Sequence, residues 1–171
     1  MATTVFRPMK SGEETSVVDL VMNVFNEFVA PLFPQEGIAE FKKFVCADAM
    51  AERLRAGNII MLAETDQQIV GIIEIRENNH IALLFVERSH QNLGIAKELI
   101  GRSIEICKKR KLDIKRITVN SSPNAIKIYE KIGFKSIEDE KVKNGIRFMP
   151  MEFLFENNDG SQQPSPGDSQ G

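Results

Sequence analysis

The stretch Ile81 to Ala96, IALLFVERSHQNLGIA, decides the fold. Ile81 to Val86 is a near-continuous apolar run bounded by polar residues, the composition of a strand buried on both faces. The polar loop Glu87 to Gln91 follows, and beyond it the apolar period lengthens from two to about four. Ile95, Ala96, Leu99, Ile100, Ser103, Ile104 and Cys107 form one stripe of an amphipathic helix that ends in the basic cluster Lys108 to Lys111. Strand, short loop and helix are therefore expected here. The opening N–H groups of such a helix lack internal partners and carry a partial positive charge, so an anion is favoured against Asn92 to Ala96. Gly94 would let a ligand approach the main chain closely, although a glycine easing an ordinary turn gives the same pattern. Neither a Gly-Lys-Ser/Thr phosphate loop nor three spaced dinucleotide glycines is present.

Downstream, Ile114 to Val119 is a second β-rich run, and a helix joining it to the first makes a βαβ unit with parallel strands. Asn120-Ser121-Ser122-Pro123-Asn124-Ala125 supplies capping oxygens and a proline suited to a first helical turn. That helix carries Ile126, Ile128, Tyr129 and Ile132 and closes at Gly133. Phe134 to Glu138 and Ile146 to Phe155 are expected as strands joined near Asn144-Gly145, with Pro150 implying an edge position or a bulge.

Upstream, Ile59 to Glu64 and Ile69 to Arg76 read as a hairpin about Thr65-Asp66-Gln67, and Gly71 suggests a bulge or the close approach of another backbone. Asn78-Asn79 offers a two-residue turn that would set Glu77 opposite His80 and Ile75 opposite Ala82. A carboxylate beside an imidazole favours the charged form, so the His80 pKa is expected to rise, and the pair could orient a proton acceptor or simply be solvated. Glu74 would face the other way. Thr3 to Arg7 is a strand stopped by Pro8. Thr15 to Phe33 and Ile38 to Arg55 are expected as two helices, broken by Pro31, Pro34 and Gly37.

The 171-residue length suits one domain, expected over 1–156. The remainder, 157–171, is a Pro/Gly/Ser-rich tail with nothing apolar to offset ordering entropy, and is expected to be disordered. Hydrophobic content of 42% and charged content of 27% are ordinary for a globular protein. A net charge of −2 gives no footprint for nucleic acid or an anionic membrane, and no apolar run approaches spanning length, so a cytoplasmic location is expected. Cys46 and Cys107 lie in apolar helical patterns and read as buried free thiols.

The residues resemble a family. Gln91-Asn92-Leu93-Gly94-Ile95-Ala96 resembles the Q/R-x-x-G-x-G/A pyrophosphate loop of the GNAT superfamily of acyl-CoA-dependent N-acetyltransferases, and it follows a strand as that motif requires. Asn120-Ser121-Ser122-Pro123-Asn124-Ala125, with Tyr129 and Gly133-Phe134 at the expected spacing, resembles the family's second cofactor segment. The resemblance covers roughly Ile59 to Phe155. It implies an α/β fold with a mixed, mostly antiparallel sheet of about six to seven strands, a parallel βαβ pair at the cofactor cleft and about four flanking helices.

It also implies acetyl-CoA as co-substrate and direct transfer of its acetyl group to a primary amine, with no metal and no covalent enzyme intermediate. The pantetheine arm would pair with Phe85 and Val86, and a backbone N–H near Val86 would polarise the thioester carbonyl. Main-chain donors of Gln91, Asn92, Leu93, Gly94, Ile95 and Ala96 would hold the pyrophosphate, while Asn120 and Asn124 occupy positions that contact the cofactor. Tyr129 matches the acid that protonates the departing thiolate.

The base position is held by His80 where many members have glutamate; Glu77, Glu74 or water are the other candidates. Acceptor specificity would come from the first two helices and the loop Pro31 to Gly37, where Glu27, Glu36, Glu40 and nearby phenylalanines are compatible with a small cationic amine having an apolar portion. A peptide or protein amine is the other acceptor class, and the resemblance allows a homodimer. The alternative reading is a non-catalytic acyl-CoA-binding or interaction module of the same fold.

Overall fold

The computed structural model describes residues 2–155; the tail expected over 157–171 lies outside them. In chain order the elements are β1 (Thr4–Pro8), α1 (Glu14–Phe28), α2 (Gln35–Phe44), α3 (Ala47–Arg55), β2 (Ile59–Thr65), β3 (Gln68–Arg76), β4 (His80–Val86), α4 (Ile95–Arg110), β5 (Arg116–Ser121), α5 (Ile126–Ile132), β6 (Lys135–Ser136), β7 (Lys141–Lys143) and β8 (Ile146–Leu154). The sheet runs β1-β2-β3-β4-β5-β8-β6, with β7 paired to the start of β8. Only β4 and β5 are parallel. The mixed, mostly antiparallel α/β architecture expected from the sequence is the one observed, with eight strands and five α-helices among the described residues.

Two apolar layers sandwich the sheet. On one side Leu99, Ile100, Ile104 and Cys107 of α4 meet Ile73, Ile75 and Ile117; on the other Val17 and Val21 of α1 and Met50 of α3 meet Leu62, Ile72 and Leu83. Most of these are almost wholly buried, and each contributes about 1.5–3 kcal/mol over the exposed state.

Two irregularities position the cleft. At the β2/β3 bulge Gly71 lies opposite Ala63, and a Cβ there would come 3.2 Å from Ile95 Cγ2 and 3.3 Å from Leu99 Cδ1. The bulge expected at Gly71 is present; what comes close there is not another backbone but the side chains of Ile95 and Leu99, and the missing Cβ lets the first turn of α4 sit on the sheet. In β4 the register passes from Leu83 opposite Glu74 to Ile81 opposite Ile75, leaving Ala82 as an extra residue. There β4 also parts from β5: the parallel pairing comprises His80 with Thr118 and Ile81 with Val119 and goes no further.

Several sequence expectations are corrected. The helix expected over Ile38 to Arg55 is two, because Val45 and Cys46 leave the helical conformation, and Cys46 is therefore exposed while Cys107 is buried; both are free thiols. The turn expected at Asn78-Asn79 lies one residue earlier. Glu77 and Asn78 hold its positive-φ positions, and the Asn79 N–H donates to the Arg76 carbonyl at 3.2 Å. Arg76, not Glu77, is opposite His80, and Ile81, not Ala82, is opposite Ile75. The hairpin at Asn144-Gly145 joins β7 to β8, not the strand after Phe134, of which Lys135–Ser136 alone is paired. Pro150 is not on an edge strand: β8 lies between β5 and β6, and Pro150 falls where its outer partner changes from β7 to β6, so the missing N–H breaks no ladder bond on that side.

Candidate active site

The gap between β4 and β5 opens into a cavity of about 860 Å³ that extends from the start of α4 to the phenylalanines of α1 and α2. Past Ile81, the main-chain groups of β4 have no β5 partner. At one end Asn92 (φ 62°) and Gly94 (φ 81°) adopt left-handed conformations, turning successive amides into a concave anion-receptive surface. A Cβ on Gly94 would meet open space, so backbone conformation rather than crowding favours glycine there. The Gln91 N–H is engaged by the Arg88 carbonyl at 3.3 Å, and its side-chain amide donates to the Val86 carbonyl at 3.0 Å. Gln91 therefore braces the loop against the end of β4, and the opening amides of α4 remain the available donors.

Tyr129, on α5, is almost wholly buried yet lines the cavity. Its ring meets Phe134 edge-on, with centroids 5.2 Å apart. Burial pushes the phenol pKa up, so the group is a donor at neutral pH.

His80 opens β4 and also lines the cavity. Its Nδ1 lies 2.7 Å from Thr118 Oγ1, which itself approaches the Asn79 carbonyl at 3.4 Å. When the Thr118 hydroxyl donates to that carbonyl, Nδ1 carries the proton and donates to Oγ1, leaving Nε2 as an acceptor. Burial and the charge of Arg76 lower the imidazole pKa to about 4, against a smaller opposing effect of Glu77. The rise expected from a Glu77 partner is thus corrected: the turn shift replaces the neighbouring carboxylate with a guanidinium.

Phe85, Val86, Gln91, Asn92, Gly94, Ile95, Ala96, Asn120, Asn124, Tyr129 and His80 share the cavity wall. Leu93 and Glu77 do not: Leu93 is 68% exposed, and Glu77 sits in the exposed turn. Glu74 is wholly buried away from the cavity, bonded to Arg53 at 2.6 and 3.2 Å and to Asn58 at 2.9 Å. The wall also includes Arg76, Lys97, Lys143, Arg147 and Phe148, which the sequence reading did not single out, and Lys131. Only the flanking of a turn by basic residues marked Arg76, Lys143 and Arg147 in advance. Among the described residues no cluster of His, Cys, Asp and Glu is arranged to hold a metal, and no helix is long and apolar enough to cross a membrane.

A mixed sheet that parts at its one parallel pair, with the start of α4 on the wall of the same gap, defines the class of α/β fold to which this protein belongs. Residues 29–155 match the family model described as an acetyltransferase (GNAT) domain, and the chain belongs to the GNAT acetyltransferase family.

Solved structures agree on the fold. A GCN5-related N-acetyltransferase from Rhodopseudomonas palustris superposes with a TM-score of 0.71 at 20% identity, over 91% of this chain and 98% of that one. The PaiA N-acetyltransferase of Thermoplasma acidophilum, in complex with coenzyme A, gives 0.74 at 17% identity over 90% and 99%. The spermidine N-acetyltransferase of Vibrio cholerae, in complex with CoA and spermine, gives 0.60 at 19% identity over 88% and 95%. No curated protein matches the chain.

Proposed function

We propose that this protein transfers the acetyl group of acetyl-CoA directly to a primary amine. The observation that carries the reading is a single cavity that joins the free amides of α4, the unpaired edge of β4 and the only tyrosine of the chain. The residues present fit the coenzyme: open space over Gly94 admits a diphosphate to the main chain, unpaired groups beyond Ile81 can bond an extended amide-containing arm, and Asn120 and Asn124 flank the gap. The family's coenzyme-bound structures support the same assignment.

In this mechanism the donors from Asn92 to Ala96 bind the diphosphate, and Phe85 and Val86 bind the arm through main-chain bonds. A β4 amide near Val86 polarises the thioester carbonyl and stabilises the oxyanion that develops there. The amine nitrogen forms a bond to the carbonyl carbon and the carbon–sulfur bond breaks. Tyr129 gives its proton to the departing sulfur. Neutral His80 accepts the proton lost by the amine through Nε2, directly or by way of water, and Thr118 holds its ring. Glu77 faces solvent outside the cavity and acts on His80 only through its charge.

The test pairs two measurements on the full chain. Acetyl-CoA at about a hundred times its dissociation constant should stabilise the protein by roughly 2.7 kcal/mol in a thermal-shift experiment, with ATP ineffective. Tyr129→Phe should leave that shift nearly intact while lowering kcat by about 10²-fold or more. A variant that turns over normally removes the acid role; a wild-type chain that binds acetyl-CoA yet acetylates no amine is a binding module.

A further inference from the structure

On the side of α1 and α2 the same cavity has an aromatic half lined by Phe28, Phe33, Phe41, Phe85 and Phe148. Phe33, Phe41 and Phe85 are braced by ring contacts that run through Phe25. Phe41 stacks on Phe25 with centroids 3.8 Å apart and planes 8° from parallel, and tilts against Phe85 at 5.9 Å. Such a wall suits an apolar body.

The charges around this half are the reverse of those that suit a polyamine. Glu40 is the sole carboxylate on the cavity wall, and it is already 3.3 Å from Lys43. Glu27 is paired with Arg88, and neither it nor Glu36 reaches the cavity. Five cations do: Lys97 from α4, Lys131 from α5, Arg76 from the end of β3, and Lys143 and Arg147 from the β7–β8 hairpin. Arg147 is held by Glu140 at 2.8 Å, whereas Arg76 and Lys143 have no acidic partner within ion-pair distance among the described residues. Arg76 is also the cross-strand neighbour of His80, and directly opposed residues on antiparallel strands stand about 5 Å apart. A carboxylate bonded to the Arg76 guanidinium therefore leaves an amine on the adjacent carbon within reach of His80.

We infer that the acceptor is an amine with an apolar, aromatic or branched aliphatic body and a carboxylate beside the nitrogen, of the free apolar amino acid type, recognised by the phenylalanine wall and by Arg76 with Lys143. The inference rests on the acetyl-transfer reading above. The reaction forms the nitrogen–carbonyl carbon bond and breaks the carbon–sulfur bond, releasing the N-acetyl acid and free CoA, while one proton passes from the amine to His80 or water and one from Tyr129 to sulfur. Arg76 contributes a second effect: its positive charge disfavours an ammonium at the same place and so enriches the neutral, reactive amine.

The experiment follows CoA thiol release from acetyl-CoA with L-leucine and L-phenylalanine, their amides, spermidine and a short peptide. The free acids should exceed their amides in kcat/KM by about tenfold or more, with spermidine and the peptide near background. Arg76→Gln should bring the acid-to-amide ratio close to one, the loss falling on KM for the acid, and Arg76→Lys should keep most of the preference. Preferred use of spermidine or the peptide, or a ratio unchanged in Arg76→Gln, overturns the inference. So does a wild-type chain that acetylates none of these acceptors while acetyl-CoA still raises its Tm. If acetyl-CoA fails to raise the Tm, the acetyl-transfer reading itself falls.

Discussion

The two halves of the cavity are made of different material. The half proposed to hold the coenzyme is largely backbone: amides opening α4, an unpaired strand edge and a glycine in a left-handed conformation. The half proposed to hold the acceptor consists of side chains brought from α1, α2 and the segment between them, β3, β4, β7 and β8. Main-chain recognition depends on local conformation and tolerates most side-chain changes, whereas side-chain recognition depends on long-range packing and is sensitive to each residue.

That contrast can be broken in stability, in affinity and in titration. The largest effect is expected from Glu74→Ala. The buried carboxylate ties β3 to Arg53 of α3, and Arg53 also donates to the Phe44 carbonyl at 2.8 Å and lies 3.9 Å over the Phe44 ring. Leaving Arg53 without its partner should cost about 3–5 kcal/mol of unfolding free energy in a denaturant titration. In the folded fraction, acceptor KM should rise while the acetyl-CoA dissociation constant stays close to wild type; an equal loss on both sides would mean that the halves are not separable.

Next in size is Gly94→Ala. Its φ of 81° costs an L residue about 1–2 kcal/mol in the left-handed region, while the added methyl meets no atom. Acetyl-CoA affinity should fall by roughly tenfold in calorimetry as the loop relaxes, with the acceptor preference unchanged. Wild-type affinity in this variant would separate the anion-receptive surface from the conformation at residue 94.

The smallest effect concerns His80. With a folded-state pKa near 4 and an ordinary value of 6.5, the imidazole is neutral in both folded and unfolded chains above about pH 7 and contributes no pH dependence there. As pH falls from 6.5 towards 4 the unfolded chain takes up a proton that the folded chain refuses, so stability declines through that window and the decline levels off below it. Burial and the charge of Arg76 set this balance against the opposing charge of Glu77. An NMR titration checks it, the His80 ring signal being assigned by its loss in His80→Gln; a midpoint near 6.5 would restore a solvated imidazole.

The coenzyme half was the more legible in sequence because its signals are local. The change of period at Ile95, the glycine before it and the spacing from Asn120 to Tyr129 all lie within single strand-to-helix segments. The parallel pair and the mixed sheet followed from the same stretch. The acceptor half needed information that periodicity does not carry. A turn displaced by one residue exchanged Glu77 for Arg76 beside His80 and so reversed the local charge. The break at Val45 and Cys46, in an otherwise apolar helical pattern, has no proline or glycine to announce it. Lys143 and Arg147 reach the cavity only because β8, with β7 paired to it, packs against α2.

The contact between α2 and that hairpin is made through Gly37 and Gly145. A Cβ on Gly37 would come 2.5 Å from the Gly145 carbonyl oxygen, and one on Gly145 would come 2.7 Å from the Gly37 nitrogen. Two naked peptide segments, more than a hundred positions apart in the chain, thus act as the clasp of the vestibule. The lack of a methyl group on either side lets α2 and the hairpin close on each other, which makes this pair a tuning point for substrate breadth: one carbon atom placed on Gly37 would push the Gly145 carbonyl away and press on Phe33 of the aromatic wall.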